Sequence, residues 1–322
     1  MNTRSTDPLQ EGHSLDGIAN QLQRRAGRRL ALLGTVLVLC GAGLTVAYRS
    51  KEGAPATVNQ PVKPPTKFIP PATYAELCVL PLADVEKCDI ALLNLLCSEG
   101  LKGSETPSIP ECLATIDQWA AQIKSETERN LHRFYETPDK FRNCEGYFRM
   151  AMLVTVLKQD LQVHYDEARS NDEPTESFFA DSGSTFIKGM LGSRRTGTCA
   201  SIPVLIVALG KRLGYPVKLV AARAHSFVRW EDGEDRFNIE ATNGGMTTHP
   251  DEYYMTWPKP ITEEMLASEG FLQSMTPVQV LGIFLQTRSI CLFVNGRKAE
   301  VRKACQKGLE CLPASKMFNC SF

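Results

Sequence analysis

Net charge is the first thing missing. The 36 Lys and Arg residues are matched by 36 Asp and Glu, and no basic stripe is interleaved with aromatics. No nucleic-acid-binding motif occurs either, so nucleic acid is not an expected partner. Metal and redox spacing is missing too. None of the eleven cysteines forms a C-x-x-C pair, which removes zinc-ribbon and dithiol motifs. His132 and His164 read as surface or packing residues, so no metal and no cofactor is expected. No internal repeat is visible along the 322 residues. What remains is an ordinary globular composition, 43% apolar, with enough chain for a sizeable core.

The N-terminal part is organised around a charge-free run. Residues 1–29 are polar and close on Arg24, Arg25, Arg28 and Arg29, and Leu30 to Tyr48 carries no charge. A helix of that length just crosses a hydrocarbon core. A buried soluble helix is rarely apolar on every face. A cleaved signal peptide is the stronger rival, but the leading segment is long and no clean small-x-small cleavage site follows. We read an uncleaved single-pass anchor. Four arginines precede it and only Arg49 and Lys51 follow closely, which puts the N-terminus in the cytoplasm and the remainder outside. Residues 49–72, with Pro55, Pro61, Pro64, Pro65, Pro70 and Pro71, form a semi-extended linker.

Residues 73–191 read as mostly helical, with SNDEPTESFFADSGS as a loop. Residues 192–260 change character. CASIPVLIVALGKRLGYP reads as a helix with a proline in its first turn and Gly214 at its exit. VKLVAAR, HSFVRWE and DRFNIEA then read as three strands. Residues 261–322 return to helix, with VQVLGIFLQTRSICLF and AEVRKACQKGLECL able to form a helical hairpin about Asn295–Gly296. The expected class is α+β. The ten cysteines beyond the apolar run are either disulfides of an oxidising compartment or buried thiols.

Chemistry concentrates in the middle segment. A two-residue turn at Asp232–Gly233 would pair Glu231 with Glu234, Phe227 with Asn238 and His225 with Glu240. Those last two side chains would then lie about 5 Å apart at Cβ. A carboxylate so placed fixes the imidazole tautomer and leaves the other ring nitrogen free as a base. Cys199 stands where a helix begins, among N–H groups without internal partners and at the positive end of the dipole. Such a position favours a thiolate, and the thiolate is the nucleophile for acyl transfer.

The stretch GTCASIPVLIVALGKRLGYPVKLVAARAHSFVRW, with FNIEAT after it, resembles the transglutaminase-like superfamily of papain-type cysteine enzymes. The likeness rests on Gly197 and Cys199; on Arg212, Leu213, Gly214 and Pro216; on Ala224, His225, Phe227 and Val228; and on Glu240 with Thr242. It looks closest to a bacterial branch with short Cys-to-His spacing, and a looser likeness runs from about residue 72 to 312. The resemblance implies a Cys-bearing helix packed on an antiparallel sheet bearing His and Glu, with helical flanks. Two features depart from the family pattern. The acid is Glu240 where Asp is usual, and no aromatic oxyanion helper can be assigned.

The resulting expectation is a membrane-anchored Cys199–His225–Glu240 catalyst. It would form a thioester with an amide or isopeptide bond of a protein or peptide substrate, and then pass the acyl group to water or to an amine. The alternative is a non-catalytic module that keeps the fold and binds a peptide or a cell-envelope component. A cysteine-rich metal-binding ectodomain has little support from scattered single cysteines.

Overall fold

A computed structural model describes residues 68–169, 176–242 and 244–313. The apolar run Leu30–Tyr48, the tail before it, most of the proline-rich linker and Cys320 lie outside the described residues.

Two short helices, Tyr74–Val79 and Leu82–Val85, lead into three longer ones. Helix α1 (Ile90–Ser98) starts where Asp89 accepts the N–H of Ala91, a side-chain cap for an otherwise unpaired donor. Helix α2 (Ile109–Asn130) carries a Ser108–Glu111 capping box and Pro110 in its first turn. Its buried residues Cys112, Ile116, Trp119, Ala120 and Ile123 recur every three or four positions, the stripe that an amphipathic helix turns to a core. Helix α3 (Glu145–Gln159) follows. Strands β1 (His164–Tyr165) and β2 (Thr196–Gly197) form a short parallel pair. Within the segment read as a loop, Glu176–Ala180 is helical and Ser182–Ser184 forms a 3₁₀ turn. Phe178 and Phe179 are buried and anchor it, and Asp181 accepts the N–H of Gly183. Burial of the two aromatics overrides the breaker-rich local signal.

Helix α4 (Ile202–Arg212) is the centre of the molecule. Every residue from Ile202 to Gly210 is buried, because the helix packs on α1 and α2 on one side and on the sheet on the other. It ends with Gly214 at φ +75° and a hydrogen bond from Tyr215 N to the Gly210 carbonyl, a glycine-terminated helix exit. The sheet has three antiparallel strands in the order β3 (Val217–Ala222), β4 (His225–Glu231), β5 (Arg236–Ile239). A short helix α5 (Asp251–Tyr254) crosses beyond it. Helices α6 (Pro277–Val294) and α7 (Lys298–Cys311) pack closely on each other. Among the described residues α6 alone is long and apolar enough to cross a membrane, but over half of it is buried. It packs on α1 and α7, as a core helix does.

The register of the β4–β5 hairpin differs from the sequence expectation. Glu231 pairs with Arg236, Arg229 with Asn238 and Val228 with Ile239, two residues away from the pairing that a two-residue turn would give. A type I′ turn needs positive φ at both central residues, and of this pair only Gly233 has it. Asp232 instead spends its carboxylate on the loop, accepting the N–H groups of Glu234 (3.0 Å) and Asp235 (2.7 Å) and the Trp230 indole N–H (2.8 Å). That favours a four-residue loop. A shift of two preserves which face each side chain takes, whereas a shift of one would reverse it.

Among the described residues none of the nine cysteines forms a disulfide, and six are buried. Packing as small apolar groups accounts for these six.

Candidate active site

Cys199 does not sit in the regular helix, which begins three residues later at Ile202. It lies in a turn wound by hydrogen bonds from Ser201 N and Ile202 N to the Thr198 carbonyl. Thr198 and Ser201 cap this turn reciprocally: the Ala200 N–H reaches Thr198 Oγ1, and the Thr198 N–H reaches Ser201 Oγ. Both hydroxyls then donate to the Ser184 carbonyl, at 3.0 and 2.6 Å. Gly197 is required just before it, since a Cβ there would come within 2.5 Å of the Met190 sulfur and 2.9 Å of Ile202. Ser226 on β4 donates to the Cys199 carbonyl at 2.6 Å. The thiol-bearing turn is therefore held from both sides, and Cys199 stays partly exposed.

His225 opens β4 after a tight connection in which Ala224 adopts φ +63°. Its Nε2 meets Glu240 Oε2 at 2.7 Å, with both side chains almost fully buried. The two-residue register shift makes this a diagonal contact rather than a direct cross-strand one, and diagonal neighbours remain within reach of long side chains. The other Glu240 oxygen accepts the Thr242 N–H (3.0 Å) and hydroxyl (2.5 Å). Burial opposes a charged imidazolium, but hydrogen bonds to Cys199 and Glu240 outweigh it and push His225 up to about 9. Burial likewise opposes the Glu240 carboxylate, and its bonds to His225 and Thr242 hold it below the ordinary carboxyl value. Lys158, near the end of α3, adds a charge near Glu240; burial lowers its amine while Glu240 works against that.

Sequence reasoning left the aromatic partner of the thiol unassigned. Tyr165 on β1 lies beside Cys199, close to both its thiol and its backbone N–H. Burial, and then the neighbouring thiol, keep the phenol protonated well above its ordinary range. A two-residue strand inside a connecting segment carries no periodic signal, so nothing in the sequence marked it.

Two further aromatics wall in His225. Trp257 meets the imidazole edge-on at 4.7 Å between centroids, and Tyr254 lies parallel to it at 6.2 Å while stacking on Phe227 at 3.9 Å. Their segment is pinned by Arg229, which is 1% exposed. Arg229 donates to Asn238 Oδ1 (2.8 Å), the Leu272 carbonyl (2.9 Å) and Asp251 Oδ1 (2.6 Å). Asn238 in turn holds the His249 carbonyl and Asp251. Among the described residues no group of three or more His, Cys, Asp or Glu side chains is placed to hold a metal ion.

The structure thus brings Cys199, His225 and Glu240 together, with Tyr165 and Thr242 on either flank. No curated protein and no solved structure matches the chain significantly. The family model for the transglutaminase-like superfamily matches residues 110–286, more than half of the 322 residues and the whole of this site. On that match, with a mixed helix-and-sheet fold around it, the chain belongs to the transglutaminase-like superfamily of papain-like cysteine enzymes.

Proposed function

We propose that this protein is a membrane-anchored cysteine acyl-transfer enzyme that acts on amide or isopeptide bonds of proteins or peptides through a thioester. One observation carries the reading: a buried imidazole held at 2.7 Å by a carboxylate on one nitrogen, with the Cys199 thiol near enough to raise its proton affinity. Sulfur attacks the carbonyl carbon, and the former carbonyl oxygen takes the negative charge. The Cys199 N–H and the protonated Tyr165 hydroxyl are the donors near that oxygen. His225 hands its proton to the departing amine, and the thioester remains. Water or a second amine then attacks, with His225 accepting the proton, and the thiol is released. Glu240 fixes the ring throughout, and Thr242 fixes Glu240. The uncharged run Leu30–Tyr48 and the proline-rich stretch after it support an anchored domain on the outer side of the membrane.

The test is peptide-resolved alkylation with iodoacetamide at pH 6. Cys199 is expected to react faster than glutathione, and His225→Ala to remove the advantage. A Cys199 rate no faster than glutathione would overturn the proposal. Retention of every phenotype by Cys199→Ala would instead favour the binding-module reading.

A further inference from the structure

A hollow lies toward the opposite end of α4 from Cys199. A cavity of about 470 Å³ lies between the approach to α1, the last turn of α4, β3 and the start of α6. That size falls in the range of small-molecule sites, ~300–1,000 Å³. The length of α4, ~16 Å at the standard rise, separates it from the thiol. Its wall is apolar, made by Leu93, Val207, Val217, Leu219, Met275 and Val280.

Four cations and four acids meet around its rim, but their pairing is uneven. Arg212 is engaged by Asp89 (2.8 Å) and Asp117 (2.5 Å), and Lys87 by Asp84 (2.7 Å). Lys211 and Lys218 also line the cavity, and neither side chain has an ion pair or hydrogen bond among the described residues. Glu86, the remaining rim acid, pairs with neither. The two ammonium groups are close enough to repel: burial, and then the charge of Lys218, draw the Lys211 amine below its ordinary value. Holding two like charges at the mouth of an apolar hollow is unfavourable until an anion lies between them. An apolar wall gives a bare inorganic ion nothing to bury, and no arginine fork is free to grip a phosphate.

We infer that this cavity binds a small amphiphilic carboxylate, its hydrocarbon chain on the apolar wall and its carboxylate between Lys211 and Lys218. The site stands apart from Cys199 and does not depend on its chemistry.

Cys88 supplies a reporter. Its half-buried thiol lines the cavity and donates to the Asp84 carbonyl at 3.5 Å. In the full chain, octanoate is expected to slow alkylation of Cys88 by N-ethylmaleimide and to raise the melting temperature, while leaving Cys144 alkylation unchanged. Octanol should bind about tenfold more weakly, and the double variant Lys211→Gln, Lys218→Gln should lose a similar factor for octanoate, the scale of one charge-assisted hydrogen bond. Protection by octanol equal to that by octanoate, or undiminished octanoate binding by the double variant, would overturn the assignment. So would octanoate that changes neither the Cys88 rate nor the melting temperature.

Discussion

Burial alone would make His225 a weaker base, and the two groups it touches reverse that. With its value near 9, the imidazole remains protonated across neutral pH, as the proposed mechanism requires of the acid that releases the amine. Activity is therefore expected to fall on the alkaline side with a midpoint near 9, measured as kcat/KM against pH. Glu240→Gln keeps an oxygen at the same reach and removes the charge. It should lower that midpoint and cut the rate by roughly 10²–10⁴, the range for a displaced or mis-oriented catalytic base. An unchanged midpoint would mean that Glu240 does not set the imidazole's proton affinity. Residue identities at this centre were legible because each is a chemically distinctive type. Tyr165 was not, since a tyrosine in an irregular segment carries no mark of its neighbour.

At the scale of elements, backbone geometry aims the side chains. Ala224 holds φ +63° immediately before His225, a left-handed conformation that costs an L-residue ~1 kcal/mol. Ala224→Gly relieves that strain but gives back ~0.4–1 kcal/mol of unfolded-chain entropy, so stability in a urea titration should stay within ~0.5 kcal/mol of the parent. A loss above ~1 kcal/mol would show that the Ala224 methyl contributes packing that outweighs the strain. The three strands and α4 were readable from β-branched and aromatic runs and from the proline and glycine that bracket the helix. Asp232–Gly233 satisfies a two-residue turn rule locally, while the Asp232 carboxylate captures two N–H groups and an indole and lengthens the loop. Because the resulting shift is an even number of residues, Glu240 still faces His225. Helix α4 starts three residues later than its sequence reads, since the Thr198 and Ser201 hydroxyls wind an extra turn that composition does not reveal.

For the whole molecule, titration sets a window. Glu240 and Asp251 both lie below their ordinary values of 4.5 and 3.8, so their stabilisation is present above those values and lost as pH falls through the lower folded ones. His225 lies above its ordinary 6.5, so its contribution is complete below 6.5 and lost as pH rises through about 9. The melting temperature should be greatest between about pH 4.5 and 6.5, with the alkaline decline flattened in His225→Gln. Arg229 ties β4 to β5, to the segment bearing Tyr254 and Trp257, and to the Leu272 carbonyl. Arg229→Met should cost about 2–3 kcal/mol in chemical denaturation, because buried acceptors lose their donor while the partly exposed Asp251 keeps Arg236. A loss under about 1 kcal/mol would place Arg229 with weak surface pairs. This network was invisible in the sequence because its members are scattered from 229 to 272 and joined only by folding.

Ser226 has one more consequence. It is the residue after His225, and its hydroxyl grips the Cys199 carbonyl. The Cys199 backbone and the imidazole are thus tied to adjacent links of a single strand. A displacement of that strand would shift both in the same direction.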